Sequence, residues 1–172
     1  MNDRETAALA RLRDLVMQTR ECVEAKDVRR LGALLEGMAN ANLNGRFLTG
    51  PGLLALAERS AAGIDAPRMH LVRVEALAVE GDVALATYLV DGSWTDLGTW
   101  REVHTTALVT FQVRRRTFGW QLEGVTVSEL PADTRAAGDG TERGDLALLS
   151  GHGVVEETFY SFMGYPALAT PA

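Results

Sequence analysis

From Trp100 to Arg115 apolar and polar residues alternate along the chain. Val103, Thr105, Ala107, Val109, Phe111 and Val113 fall on one face of an extended strand. Glu102, His104, Thr106, Thr110, Gln112 and Arg114 fall on the other. The first face is expected to meet a core. The second, only half polar, can meet water or a second copy of the sheet. Three further apolar runs, Met69–Glu80, Val83–Val90 and Trp120–Glu129, flank this one. Gly81-Asp82 reads as a two-residue hairpin turn between the first pair, because Gly supplies positive φ. Arg116-Thr117-Phe118-Gly119 joins the last pair.

Upstream the period becomes helical. Asp3 is an N-cap candidate for a first helix running to Ala25, with Leu9, Leu12, Val16, Thr19 and Val23 on one stripe. Asp27 can cap a second helix through Met38, with Val28, Leu31, Leu34 and Leu35 on one side. Asn40–Gly45 reads as a loop, since Asn and Gly tolerate left-handed backbone. Gly50-Pro51-Gly52 opens a third helix, with Pro51 where its missing N–H costs nothing, and Gly63 ends it. The order predicts an α+β domain: N-terminal helices packed on a strongly curved antiparallel sheet.

Composition narrows this picture. A chain of 172 residues can bury a core without a metal or disulfide staple. The net charge of −6 argues against nucleic acid as a partner, because that binding runs on phosphate neutralisation. Apolar stretches fall short of the roughly 20 residues that span a bilayer, so no membrane is expected. The charged N-terminus lacks a secretory signal and Cys22 has no disulfide partner within the chain, so the cytoplasm is the expected compartment. The domain is expected over residues 1–130. Residues 131–145 read as a polar linker, and 146–172 as an apolar tail gathering Phe159, Tyr160, Phe162 and Tyr165.

Short motifs in this order resemble the nuclear-transport-factor-2-like superfamily, also called cystatin-like or SnoaL-like. Glu24-Ala25-Lys26-Asp27 with Leu31 and Leu34-Leu35 resembles its helix junction, and Gly50-Pro51-Gly52-Leu53-Leu54 its third-helix start. His70-Leu71-Val72 with Val79-Glu80-Gly81-Asp82-Val83-Ala84 is similar to its hairpin, and Phe118-Gly119-Trp120-Gln121-Leu122 to its last turn and strand. The likeness covers residues 6–130. It implies a cone whose mouth holds a small apolar molecule, in enzymes (isomerases, dehydratases, cyclases) and in binding or assembly modules alike.

Acid/base chemistry in such a cone needs an inward carboxylate or His with its pKa moved by dry surroundings. Where isomerase-like members carry an acid after helix two, this chain has Asn40, Asn42 and Asn44. Their second acid matches Val109, and their helix-one tyrosine falls near Thr19. All three positions depart from that pattern. The remaining acid/base candidates are His104, Asp91 and Asp96. Parity places His104 away from the helices, whereas Asp91 and Asp96 lie in a connection, Asp91–Trp100, carrying two indoles. His70 opens its strand and His152 lies in the C-terminal segment. The expected ligand-binding set is Thr19, Tyr88, Trp94, Trp100, Thr105, Val109 and Phe111. The dispersed histidines lack metal-ligand spacing, and no motif calls for a cofactor. The reading is a small-molecule-binding domain with an apolar pocket between helices and sheet, forming a homodimer through the sheet. The alternatives are a non-catalytic homo-oligomeric or protein-interaction module, and a cofactor-free isomerase, dehydratase or cyclase. Only Thr105 is polar on the inward face of the long strand, which favours binding over chemistry.

Overall fold

The computed structural model describes residues 2–131; the linker and aromatic tail expected beyond them, His152 included, lie outside the described residues. In chain order the elements are α1 (Asp3–Ala25), α2 (Val28–Leu34), β1 (Asn40–Leu43), β2 (Arg46–Leu48), α3 (Gly50–Ala62), β3 (Ile64–Glu80), β4 (Val83–Asp96), β5 (Arg101–Arg116) and β6 (Gly119–Leu130). The strands form one six-stranded sheet in the order β2-β1-β6-β5-β4-β3. The four long strands are antiparallel, but β1 lies parallel to β6, so the sheet is mixed. The helices pack on its inner face, giving an α+β fold.

The N-cap of α1 is Asn2, one residue before the expected Asp3. Its Oδ1 accepts from the Glu5 N–H at 2.9 Å, while Glu5 Oε2 accepts from the Asn2 N–H at 3.1 Å. Such a capping box adds about 1 kcal/mol. The buried stripe holds Ala8, Leu12, Leu15, Val16 and Cys22, broader than the predicted one, with Leu9 and Val23 packed at its border. The second helix stops at Leu34 rather than Met38; Gly37, at φ +80°, turns the chain away.

Asn40–Gly45 is not a loop. Asn44 (φ +50°) and Gly45 (φ +88°) form a two-residue turn joining β1 to β2, and Asn42 Oδ1 accepts from the Gly45 N–H at 2.9 Å. Positive φ at both central residues is the hairpin geometry that Asn-Gly favours. Thr49 caps α3 through the Gly52 N–H, with Pro51 in the first turn as predicted.

The expected connection Asp91–Trp100 is also corrected. Asp91 to Asp96 are strand residues of β4, paired with β5 throughout and with β3 at every position but Trp94, and the turn is only Leu97–Trp100. Alternate burial of Val90, Gly92, Trp94 and Asp96 carries the strand on. Opposite it, β3 starts at Ile64 and shifts register at three places, each of which bends the edge strand.

Parity on β5 follows the sequence pattern: Thr105, Ala107, Val109, Phe111 and Val113 are buried under the helices. Arg114 and Arg116 both reach Glu123, the extra residue where β6 bulges against β5. Phe111, 2% exposed, is among the largest side chains in the core and meets Tyr88 edge-on, ring centroids 6.2 Å apart. Phe111→Ala should therefore lower unfolding stability by about 3–5 kcal/mol, read as a reduced urea midpoint with an unchanged slope.

Candidate functional site

The helices do not fill the inner face of the sheet completely. A cavity of about 140 Å³ remains between them. Its helical wall comes from α1 (Thr19, Cys22, Val23), α2 (Val28, Leu31) and α3 (Leu53, Ala57, Ser60). The sheet wall comes from Leu43, Met69, Trp94, Val109, Phe111, Val125 and Val127. The polar groups of the helical wall are already engaged. Thr19 Oγ1 donates to the Leu15 carbonyl at 2.7 Å, Ser60 Oγ to the Leu56 carbonyl at 2.9 Å, and Lys26 Nζ to the Ile64 carbonyl at 2.8 Å. Burial pushes the Cys22 thiol up, so it stays protonated and unreactive. Arg68 and Ser93 also line it; the rest of what these walls offer a guest is hydrocarbon and two aromatic side chains, Trp94 and Phe111.

Of the seven ligand-binding candidates, Thr19, Trp94, Val109 and Phe111 line this cavity. Tyr88 lies on the same inner face, buried behind Phe111, where burial raises its phenol pKa. Trp100 is elsewhere: it sits in the β4–β5 turn, 75% exposed. The two indoles thus part, because Trp94 follows strand parity inward and Trp100 closes a turn at φ +56°.

The three acid/base candidates lie away from the cavity wall. His104 is on the outer face, half-exposed, with Nε2 3.3 Å from Glu102 Oε1. Asp91, opposite His70, accepts from Thr106 Oγ1 at 2.6 Å. Asp96 is buried, but Oδ1 is spent on the Thr99 N–H at 2.7 Å and its hydroxyl at 3.0 Å, holding the turn. Among the described residues no group of three His, Cys, Asp or Glu side chains comes together as a metal site.

One inward carboxylate was missed. Glu129, 6% exposed, follows Val125 and Val127 on the inner face of β6. Its Oε1 accepts from Thr105 Oγ1 at 2.5 Å, and its N–H donates to Asn44 Oδ1 at 2.8 Å. Oε2 is buried and has no hydrogen-bond partner among the described residues; the same holds for Asn44 Nδ2. Burial drives the carboxyl pKa up from 4.5 to about 7, and the Thr105 hydroxyl holds it back slightly. The signal was present in the alternation Val125, Val127, Glu129, had parity been followed to the end of the last strand.

This arrangement (helices over one face of a six-stranded sheet, an apolar cavity between) has counterparts among solved structures. A nuclear transport factor 2-like superfamily protein from Salmonella enterica serovar Typhimurium superposes with a TM-score of 0.63 at 12% identity, covering 81% of this chain and 97% of that one. The chain has the nuclear-transport-factor-2-like fold. A hexachlorocyclohexane dehydrochlorinase from Novosphingobium barchaimii gives 0.64 at 16% identity, over 76% of this chain and 92% of that one. A candidate dehydratase of the same fold from Streptomyces avermitilis gives 0.61 at 19% identity, over 74% and 99%. No family model matches the sequence, and neither does any curated protein. At these identities the likeness is one of fold. No helix among the described residues is long and apolar enough to cross a membrane.

The raised Glu129 pKa has a stability consequence. The folded protein keeps this proton up to about pH 7, whereas the unfolded chain releases it near 4.5. This group's contribution to stability is therefore fullest below pH 4.5 and is lost as pH rises through about 7, on the order of 3 kcal/mol for a group this buried. Glu129→Gln removes that slope. Its urea-unfolding stability should match wild type near pH 4.5 and exceed it at pH 8.

Proposed function

We propose that the chain is a binding domain for a small apolar molecule, held in the cavity between the three helices and the inner face of the sheet. The observation that carries this is the cavity itself: about 140 Å³, with its helical-wall polar groups engaged by backbone. An engineered cavity of about 150 Å³ lined by Leu, Ile and Phe binds benzene, so a single six-membered ring is the right scale. Thr19, Trp94, Val109 and Phe111 are its contacts in this reading, with Tyr88 behind them. The dehydrochlorinase and dehydratase neighbours support a fold suited to such guests. A cytoplasmic location belongs to the reading, supported by the buried and unpaired Cys22 thiol.

Self-association through the sheet is a second reading, carried by a different observation. The outer face of β4 and β5 presents Leu85, Leu89 and Leu108, with Leu89 opposite Leu108 and the Thr87 and Thr110 hydroxyls joined at 2.7 Å. Charges such as Glu102, His104 and Arg114 stand toward the ends of β5. That face suits a second copy meeting it about a two-fold axis.

The tests are separate. Toluene should bind the purified full-length protein with a Kd of roughly 0.1–1 mM by titration calorimetry. Ala57→Phe, which puts a ring into the cavity from α3, should abolish binding while holding or raising the Tm. Binding undiminished in Ala57→Phe sinks the cavity reading. For the second reading, Leu89→Lys should shift sedimentation from dimer to monomer and leave toluene binding intact. A wild-type monomer in sedimentation rules it out.

A further inference from the structure

Away from the cavity, the free edge of the sheet carries apolar side chains that nothing described covers. Pairing with Val90, Tyr88, Ala86 and Ala84 of β4 puts Leu71, Val74, Leu77 and Val79 of β3 on the inner face. Leu71 and Val79 pack against the core. Val74 and Leu77, between them, are 55% and 52% exposed, although their partners Tyr88 and Ala86 are buried. Cover therefore stops between β4 and β3 at mid-strand, where register shifts flank Val74. The helix beside this gap is α1. Arg4 reaches Asp82, in the turn after β3, at 3.8 Å, and Glu24 accepts from the Met69 N–H at 3.1 Å. These two ties lay α1 antiparallel to β3, so Arg13 and Met17 fall opposite its middle. Arg13, Met17, Arg20 and Glu24 share one helical stripe. Arg13 is close enough to Tyr88, the neighbour of Val74, to offset part of the burial-driven rise in its phenol pKa. The result is an apolar strip of exposed Met17, Val74 and Leu77, bordered by Arg13 and Arg20. Nearby acids are occupied: Glu24 by the Met69 N–H and by Arg20 Nε at 3.5 Å, Glu75 by Arg73 Nε at 2.6 Å. Arg13 has no acid partner among the described residues.

We propose that residues 154–163 of the same chain dock on this strip, their aromatic side chains on Met17, Val74 and Leu77 and their acids against Arg13 and Arg20. Composition supports this occupant. The segment places Glu156-Glu157 directly before Thr158-Phe159-Tyr160-Ser161-Phe162-Met163, an acidic pair leading an aromatic cluster. From residue 144 to the end the chain has no Lys or Arg, so nothing in it repels the two arginines. Reach supports it too. The chain leaves the sheet after Leu130 at the end of β6, and β3 lies three strands away, about 15 Å. The 22 residues from 132 to 153 can extend roughly 70 Å, so their length sets no barrier. Burying an exposed apolar strip at a sheet edge also removes a site of unwanted association. The cavity has no part in this contact, which stands or falls separately from the binding reading.

The test is hydrogen exchange of the full chain, read by mass spectrometry on peptides covering residues 154–163. In wild type these amides should exchange at least about tenfold more slowly than in a synthetic peptide of the same sequence. Leu77→Asp, at an exposed position, should return them to the peptide's rate. Arg13→Glu should cut the protection about two- to fivefold, and adding Glu156→Arg and Glu157→Arg to it should restore what was lost. Phe47→Asp, at an equally exposed apolar residue on β2, should change nothing. If Leu77→Asp does not fold, Arg13→Glu and its charge-swapped rescue decide. Exchange at the peptide's rate in wild type overturns the proposal. So does protection that survives both Leu77→Asp and Arg13→Glu, or that Phe47→Asp removes equally. Protection that vanishes on roughly hundredfold dilution assigns the segment to a second copy and overturns docking within one chain.

Discussion

The structure depends on one burial event: the broad stripe of α1 laid across the inner faces of the long strands. Ala8, Leu12, Leu15 and Val16 meet Ala86, Val90, Val109, Phe111 and Val113, and all nine are almost wholly removed from water. At about 25 cal/mol per Å² of apolar surface, the leucine, valine and phenylalanine side chains among them each contribute some 1.5–3 kcal/mol. Everything else is arranged around that contact. The bends in β3 turn the sheet edge, the Glu24 carboxylate accepts the Met69 N–H at 3.1 Å, and Lys26 ties the end of α1 to the start of β3.

The cavity follows from the same contact. One helix covers a sheet of long strands only in part, and the short α2 and α3 close the remainder from one side. Their small residues Ala57 and Ser60, with Thr19 on α1, stop short of Val109 and Phe111. An interior at native density would fill that gap with larger side chains at no cost in backbone geometry. That it is left open, and that its engaged polar groups are turned onto helix and strand carbonyls, is what gives the pocket its preference for hydrocarbon.

Glu129 changes the chemical character of this interior. Judged by β5 alone, the inner face carries Thr105 as its only polar residue, which points to binding and away from chemistry. The last strand adds a carboxyl whose pKa burial raises to about 7, braced by that same threonine. The acids that stood out in the sequence, Asp91 and Asp96, are tied to Thr106 and to the Thr99 turn. Proximity to tryptophans in the chain was a poor guide to them: Asp91 falls on the face opposite Trp94, and Asp96, on the same face as Trp94, has its Oδ1 spent on Thr99.

The amino-acid pattern alone determined the helices, the Gly81-Asp82 turn and the face of β5 that is buried, since these rest on local periodicity and on turn chemistry. It also carried enough short motifs to name the fold. The Asn-Gly hairpin and the inward Glu129 were legible too, through a turn dipeptide and an alternation, but each needed a partner to acquire meaning: β6 for the hairpin, Thr105 and Asn44 for the carboxyl. Only the tertiary structure decided that β1 runs parallel to β6, that Trp94 and Trp100 part company, and that an apolar cavity remains beneath the helices. Those outcomes are set by register and by the volumes left over when distant segments meet. A local pattern holds neither quantity, because both belong to pairs of segments rather than to any one of them.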